Sequence, residues 1–199
     1  MSNTAKTLRL TVTAVLATIV AVISFLPLKT LGLEITFSMV PVAVGAILYG
    51  PAVGAVLGGV FGLVSFLQCL GYSGFGVILF SINPWLTLVV CLPTRILAGW
   101  LTGWIYKGLH RVCKKGFADA AVASLSAAVL NTLLFMTTLV VCFYHTEYIQ
   151  GLVGQLHAAN PFIFVVLFVG INGLVEILAG AFIAFPVAKA MQRYLKKGV

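Results

Sequence analysis

The chain has 199 residues, of which 61% are hydrophobic and only 8% charged, with a formal net charge of +8. A mean hydropathy of +1.15 lies far above the roughly half-apolar usage of water-soluble domains and excludes that class. The length suits one bundle of about five to seven spans at ~20 apolar residues each, so residues 1–199 read as a single integral membrane domain.

Hydropathy predicts six spans, at about 8–27, 37–49, 52–70, 84–106, 118–143 and 161–188. The first is kept as a spanning helix and not a cleaved leader, because its apolar run is long and no small-residue cleavage site follows it. The second and third are joined by Gly50-Pro51, and glycine recurs at Gly50, Gly54, Gly58 and Gly62. Each glycine costs a helix roughly 1 kcal/mol relative to alanine, so a stripe of them predicts close backbone packing of the hairpin. The second span, at about 13 residues, reaches only ~20 Å as a straight helix and needs its flank to complete a crossing.

The charges fall on one side of this plan. Lys6 and Arg9 precede the first span, Lys107, Arg111, Lys114 and Lys115 follow the fourth, and Lys189, Arg193, Lys196 and Lys197 close the sixth. The positive-inside rule makes that side cytoplasmic, together with both termini. The high pI, about 9.6, therefore reflects topology and not nucleic-acid binding. The opposite face carries Lys29, Glu34 and Glu147 and the longer connections, which makes it the expected ligand side.

Ionisable and amide groups inside a bilayer are costly and usually face a cavity or each other. Arg95 lies near the middle of the fourth span, Asn131 near the middle of the fifth, and Asn172 and Glu176, four residues apart on one helical face, at similar depth in the sixth. One reading is an Arg95–Glu176 pair with the asparagines as interhelical hydrogen-bond glue. The other is the floor of a polar pocket, with Arg95 for a carboxylate and the amides for hydroxyl or amide groups. Asn83, Gln68, Tyr72 and Tyr144, with Ser81, Trp85 and His145, lie toward the outer face and as a set line the pocket mouth; the aromatic ones also fit an interfacial belt.

Four cysteines, Cys69, Cys91, Cys113 and Cys142, have no metal-ligand spacing, and no metal or other cofactor is expected. Cys69 and Cys142 are placed near the same face, where a disulfide could join them. No P-loop motif is present. No convincing internal repeat relates 1–99 to 100–199, as an ion-coupled carrier would show. His110, in the cytoplasmic loop, and Asp119, at its edge, are badly placed for intramembrane proteolysis, so enzyme is the least favoured class.

The small residues Thr13, Ala17 and Ala21 of the first span, the hairpin "FSMVPVAVGAILYGPAVGAVLGGVFGLVSF", the segment "NPWLTLVVCLPTRILAGWLTGWIYK" and the final "NGLVEILAG" together resemble the substrate-binding S components of energy-coupling factor (ECF) transporters, over nearly the whole chain. The pantothenate-type branch is favoured. The resemblance implies a six-helix protein of a bacterial cell membrane that captures a vitamin from outside and works with a transmembrane coupling subunit and two ATPases. It implies further that the first-helix face at Thr13, Ala17 and Ala21 docks the coupling subunit, that residues around 28–37 form a lid, and that the pocket comes mainly from helices four to six. Pantothenate, with one carboxylate, an amide and two hydroxyls, suits one Arg and two Asn. An Arg95–Glu176 pair would instead suit an uncharged solute such as riboflavin or a pyridoxine-like compound, while folate would need more positive charge; a stand-alone carrier is the remaining alternative.

Overall fold

The structure, a computed structural model, describes residues 3–25, 29–30, 33–34, 37–113, 118–184 and 186–191. At Ala5, in both short strands, and at 112–113, 118 and 171–181 it describes the backbone alone. The chain is built of helices: α1 Asn3–Ser24, α2 Met39–Tyr49, α3 Pro51–Gln68, α4 Gly74–Ile82, α5 Pro84–Cys113, α6 Ala118–Phe143, α7 Glu147–Gln155 and α8 Pro161–Ala179, which runs into a π-helical turn at Gly180–Ala184. Between α1 and α2 a two-residue antiparallel ladder pairs Lys29 with Glu34 and Thr30 with Leu33, where the lid is expected; residues 28, 31–32 and 35–36 of that segment lie outside the described residues.

Among the described residues, four helices are long and apolar enough to cross a membrane: Lys6–Ser24, Pro51–Gln68, Pro84–Arg111 and Asp119–Phe143. Their outward faces carry large apolar side chains such as Leu10, Val56, Trp104 and Val141, a surface that only lipid or a partner can cover at this extent.

α2 is different. It is 11 residues long and buries Met39 and every residue from Pro41 to Ile47. A helix apolar on all sides belongs inside a bundle, and α2 occupies that place, with α1, α3, α5 and α6 packed around it. At ~1.5 Å per residue it covers about 16 Å, roughly half of the hydrocarbon thickness.

Sequence reading placed loops where α4 and α7 form. Both begin on a hydroxyl cap: the Ser73 side chain accepts from the Gly76 amide at 3.2 Å, and Thr146 accepts from Ile149 at 3.5 Å. Such caps satisfy the orphan amides of a first turn and let short helices form. α5 also runs further than expected, so that His110 lies in its last turn and not in a loop.

One end of the bundle collects the basic residues. The α1 C-terminus meets α2 and α3 at the far end, where Ser24 Oγ lies 2.7 Å from Ser38 Oγ and the Ser24 carbonyl accepts from Gln68 Nε2 at 2.5 Å. Lys6 and Arg9 therefore sit at the end that holds the Gly50-Pro51 turn. That turn packs on α5 near its C-terminal end: a Cβ on Gly50 would lie 3.2 Å from Lys107 Cε, and one on Gly103 would lie 2.5 Å from Pro51 Cα. There His110 Nδ1 is 2.5 Å from the buried Asp119 Oδ2, so the pair ties the end of α5 to the start of α6.

Candidate functional site

The glycine stripe on α3 sets the geometry of the site. A Cβ on Gly58 would overlap the Arg95 carbonyl, one on Gly54 would overlap the Gly99 carbonyl, and one on Gly62 would lie 2.9 Å from the Cys91 carbonyl. Each contact is one helical turn from the next on both helices, so α3 and α5 touch backbone to backbone over residues 54–62 and 91–99. The turn that carries Arg95 is thereby fixed against α3, and Phe61, three residues beyond Gly58, is brought onto its side chain.

Arg95 is buried, with 7% of its surface exposed. Its guanidinium carbon lies 4.9 Å from the centroid of Phe61 on α3 and 4.7 Å from that of Phe135 on α6. Aromatic faces attract a cation, by up to about 2 kcal/mol each when water is excluded. Nη1 donates to the carbonyls of Val90 and Cys91, each at 3.2 Å. Pro93 stands inside α5, two residues before Arg95; lacking an N–H, it leaves the carbonyl four residues before it, that of Val89, without its helical partner. Thr94 Oγ1 also donates to Val90 O, at 2.5 Å. The rings and carbonyls hold the cation in place while drawing its side chain toward the α4–α7 end of the bundle.

Asn131, four residues before Phe135 and so on the same face of α6, is also 7% exposed, and its Oδ1 is buried without a hydrogen-bond partner. Such an atom costs about 1–3 kcal/mol in the absence of a partner, and orphans of this kind call for a water, a ligand or a function. One turn outward from Arg95 and Phe135, Val90, Met136 and Leu139 enter an apolar cluster with Phe143, Ile149 and Phe164. Phe75 of α4 and Phe168 of α8 meet over it in a tilted contact, their ring centroids 5.5 Å apart. α4 and α7 thus close this end of the bundle above Arg95.

The backbone of α8 continues through Asn172 and Glu176, but their side chains lie outside the described residues, and with them the Arg95–Glu176 pairing. α8 breaks at Gly170, whose φ of 27° and ψ of −116° leave the helical region; glycine tolerates this conformation where a side chain would strain it.

The expected pocket mouth is spread over several structural tasks. Gln68 uses its amide nitrogen on Ser24 O. Asn83 caps α5, its Oδ1 accepting from the amides of Trp85 and Leu86 at 3.1 Å each; Asn followed by Pro is a strong helix-start signal that could have identified this role. Tyr72 is 71% exposed and meets Phe25 edge-on. Tyr144 is half-buried beside the cluster, and its carbonyl accepts from Gln150 Nε2 at 2.6 Å. Arg95 meets Phe135, which lies one turn along α6 from Asn131, and the partners of these four residues lie elsewhere. A surface hollow of about 280 Å³ lined by Phe66, Leu70, Phe80, Pro84, Trp85 and Leu88 is wholly apolar, which suits lipid and not a polar solute.

On α1, Thr13, Ala17 and Ala21 are half-buried, flanking the inward residues Leu16, Val20 and Ser24; Ala17 packs against the α2–α3 core. Thr13 Oγ1 donates to Arg9 O at 2.7 Å, so its methyl is what it offers to a neighbour. The Cys69–Cys142 bridge considered from sequence is not formed: Cys142 is a free thiol, and Cys69 Sγ instead lies 4.0 Å from Cys91 Sγ. The reason is the helix pairing, since α3 packs directly on α5, which brings the two positions together. Phe61, Phe135 and the Cys69–Cys91 pair escaped the sequence reading because apolar residues in apolar spans carry no periodic mark of which neighbour they meet.

A buried cation and an unsatisfied amide deep in a helical membrane bundle define a membrane protein built around an internal polar site. A family model described as ECF transporter, substrate-specific component, matches residues 8–188, and the chain belongs to that family. No curated protein matches the chain. Members of this family are substrate-binding transport subunits and not enzymes; they associate with an ECF module and take up a vitamin or other small molecule.

Proposed function

We propose that the protein captures pantothenate from outside a bacterial cell and delivers it inward as the S component of an ATP-driven ECF transporter. The observation that carries this reading is the buried Arg95 between Phe61 and Phe135, with the unsatisfied Asn131 Oδ1 one helical turn from Phe135 on α6. Arg95 receives the carboxylate through its N–H donors; a coplanar carboxylate is what a guanidinium edge binds best. Asn131 takes a hydroxyl or amide N–H, and Asn172 extends the polar lining from α8. Glu176 sets the charge balance of the site.

The chain crosses the membrane six times with both termini cytoplasmic, α1, α2, α3, α5, α6 and the α8 segment each contributing a pass within one domain. Support comes from Lys6, Arg9, Lys107 and Arg111 sharing one end of the bundle, with Glu147 on the α7 side. The α1 face at Thr13, Ala17 and Ala21 meets the coupling subunit, and the segment at 28–37 covers the solute. Energy comes from two ATPase subunits. The test is uptake of labelled pantothenate into proteoliposomes. Uptake that requires the complete module and ATP is expected, whereas equal uptake by the isolated chain would make it a stand-alone carrier.

A further inference from the structure

Cys69 and Cys91 form a buried dithiol that the solute site does not use. Cys69 ends α3, and Cys91 lies about two turns into α5; they are 5% and 4% exposed, and their sulfurs are 4.0 Å apart. Ser65 completes the cluster, its carbonyl accepting from Cys69 Sγ at 3.3 Å and its hydroxyl donating to Cys91 Sγ at 4.0 Å. The surrounding backbone holds the pair together. A Cβ on Gly62 would lie 2.9 Å from the Cys91 carbonyl, and one on Gly76 of α4 would lie 2.6 Å from Cys69 Sγ. α3 and α5 cannot drift apart here without losing the glycine contact, and Cys69 cannot swing toward α4.

A disulfide needs an S–S distance of ~2.05 Å, so about 2 Å of approach suffices, shared between two side-chain rotations on helices already in contact. The turn after Cys69 gives access: Leu70 is 58% and Tyr72 71% exposed, so an apolar reagent reaches the pair by opening a surface turn and not the core.

We propose that Cys69 and Cys91 are a redox-modification site, at which a two-electron oxidant of the quinone or small-disulfide class joins α3 to α5. Both S–H bonds break and one S–S bond forms. The two electrons and two protons pass to the oxidant, giving a quinol or two small thiols. The bridge reaches the solute site through Cys91, whose carbonyl accepts from Arg95 Nη1, but its formation does not depend on which solute binds there.

The experiment uses full-length protein carrying C113S and C142S, treated in its folded, detergent-solubilised state with dithiodipyridine. Release of two thiopyridones per chain with no retained adduct, a Cys69–Cys91 cross-linked peptide under non-reducing conditions, and reversal by a dithiol reductant are expected. In the further variant Cys91→Ala, one thiopyridone and a stable adduct on Cys69 are expected. Adducts on both sulfurs, or no reaction until the protein is denatured, overturn the proposal. Should C113S/C142S fail to fold, the same peptide map on the unsubstituted protein decides: a Cys69–Cys91 link supports it, and a link from Cys69 to either other cysteine contradicts it.

Discussion

Adjacent glycines on α3 should respond to alanine in opposite directions. At Gly58 an added Cβ collides with the Arg95 carbonyl, a backbone atom that cannot swing aside, whereas at Gly59 it meets Ile96 Cγ1 at 3.6 Å, an ordinary contact. Both substitutions gain roughly 1 kcal/mol of helix propensity. Gly59→Ala keeps that gain. Gly58→Ala must push α3 from α5, and overpacking of this kind costs about 1–3 kcal/mol, more where backbone is involved. The shared propensity gain cancels between them, so the two variants should differ by the overpacking cost alone, about 1–3 kcal/mol. At roughly 2–4 °C per kcal/mol for a chain of this size, thermal unfolding followed by size-exclusion chromatography should separate them by about 2–12 °C, with Gly58→Ala the lower. Because Gly58 carries the Arg95 turn, the same variant should also weaken solute binding. Midpoints within ~1 °C of each other would refute the backbone contact and, with it, the way Arg95 is positioned.

Arg95→Ala should weaken pantothenate binding by about 10- to 150-fold, the loss of a charge-assisted hydrogen bond of about 1.5–3 kcal/mol, measured by titration calorimetry; an unchanged affinity removes Arg95 from the site. Asn131→Leu should lower affinity while leaving the unfolding midpoint unchanged or raised, since it removes a buried oxygen with no partner; a large fall in the midpoint would mean the amide is structural. Gln68→Ala should lower stability by about 1 kcal/mol through loss of its bond to Ser24 O and leave affinity within about twofold. Ala21→Trp should retain binding but abolish ATP-driven uptake in the assembled complex, and intact uptake would displace the proposed docking face.

Much of this was legible in the sequence, for physical reasons that differ by feature. Membrane residence and the long helices follow from unbroken apolar runs, and the midspan positions of Arg95 and Asn131 from counting along them. The glycine stripe signalled close packing, expected within the α2–α3 hairpin; in the structure its main counterpart is α5, which presents Cys91, Arg95 and Gly99 to Gly62, Gly58 and Gly54 in turn. The same stripe thus locates the cation. α4 and α7 were missed because nine residues each are too few for a periodic signal and α4 is apolar or glycine at all but one position, although Ser73 and Thr146 mark their starts. Gln68 and Asn83 were assigned to a pocket mouth on polarity alone. Their amides close a helix junction and cap a helix, tasks that depend on partners distant in sequence or on the helix boundary. Phe61 and Phe135 became meaningful only once three helices were placed around one guanidinium.

The most direct measurement is mass spectrometry of the small molecule retained by the protein after purification from cells. Pantothenate at close to one molecule per chain, displaced by added pantothenate and lost in Arg95→Ala, is the predicted result. A different vitamin, or an uncharged solute retained equally by Arg95→Ala, would contradict the assignment of Arg95 as the carboxylate receptor.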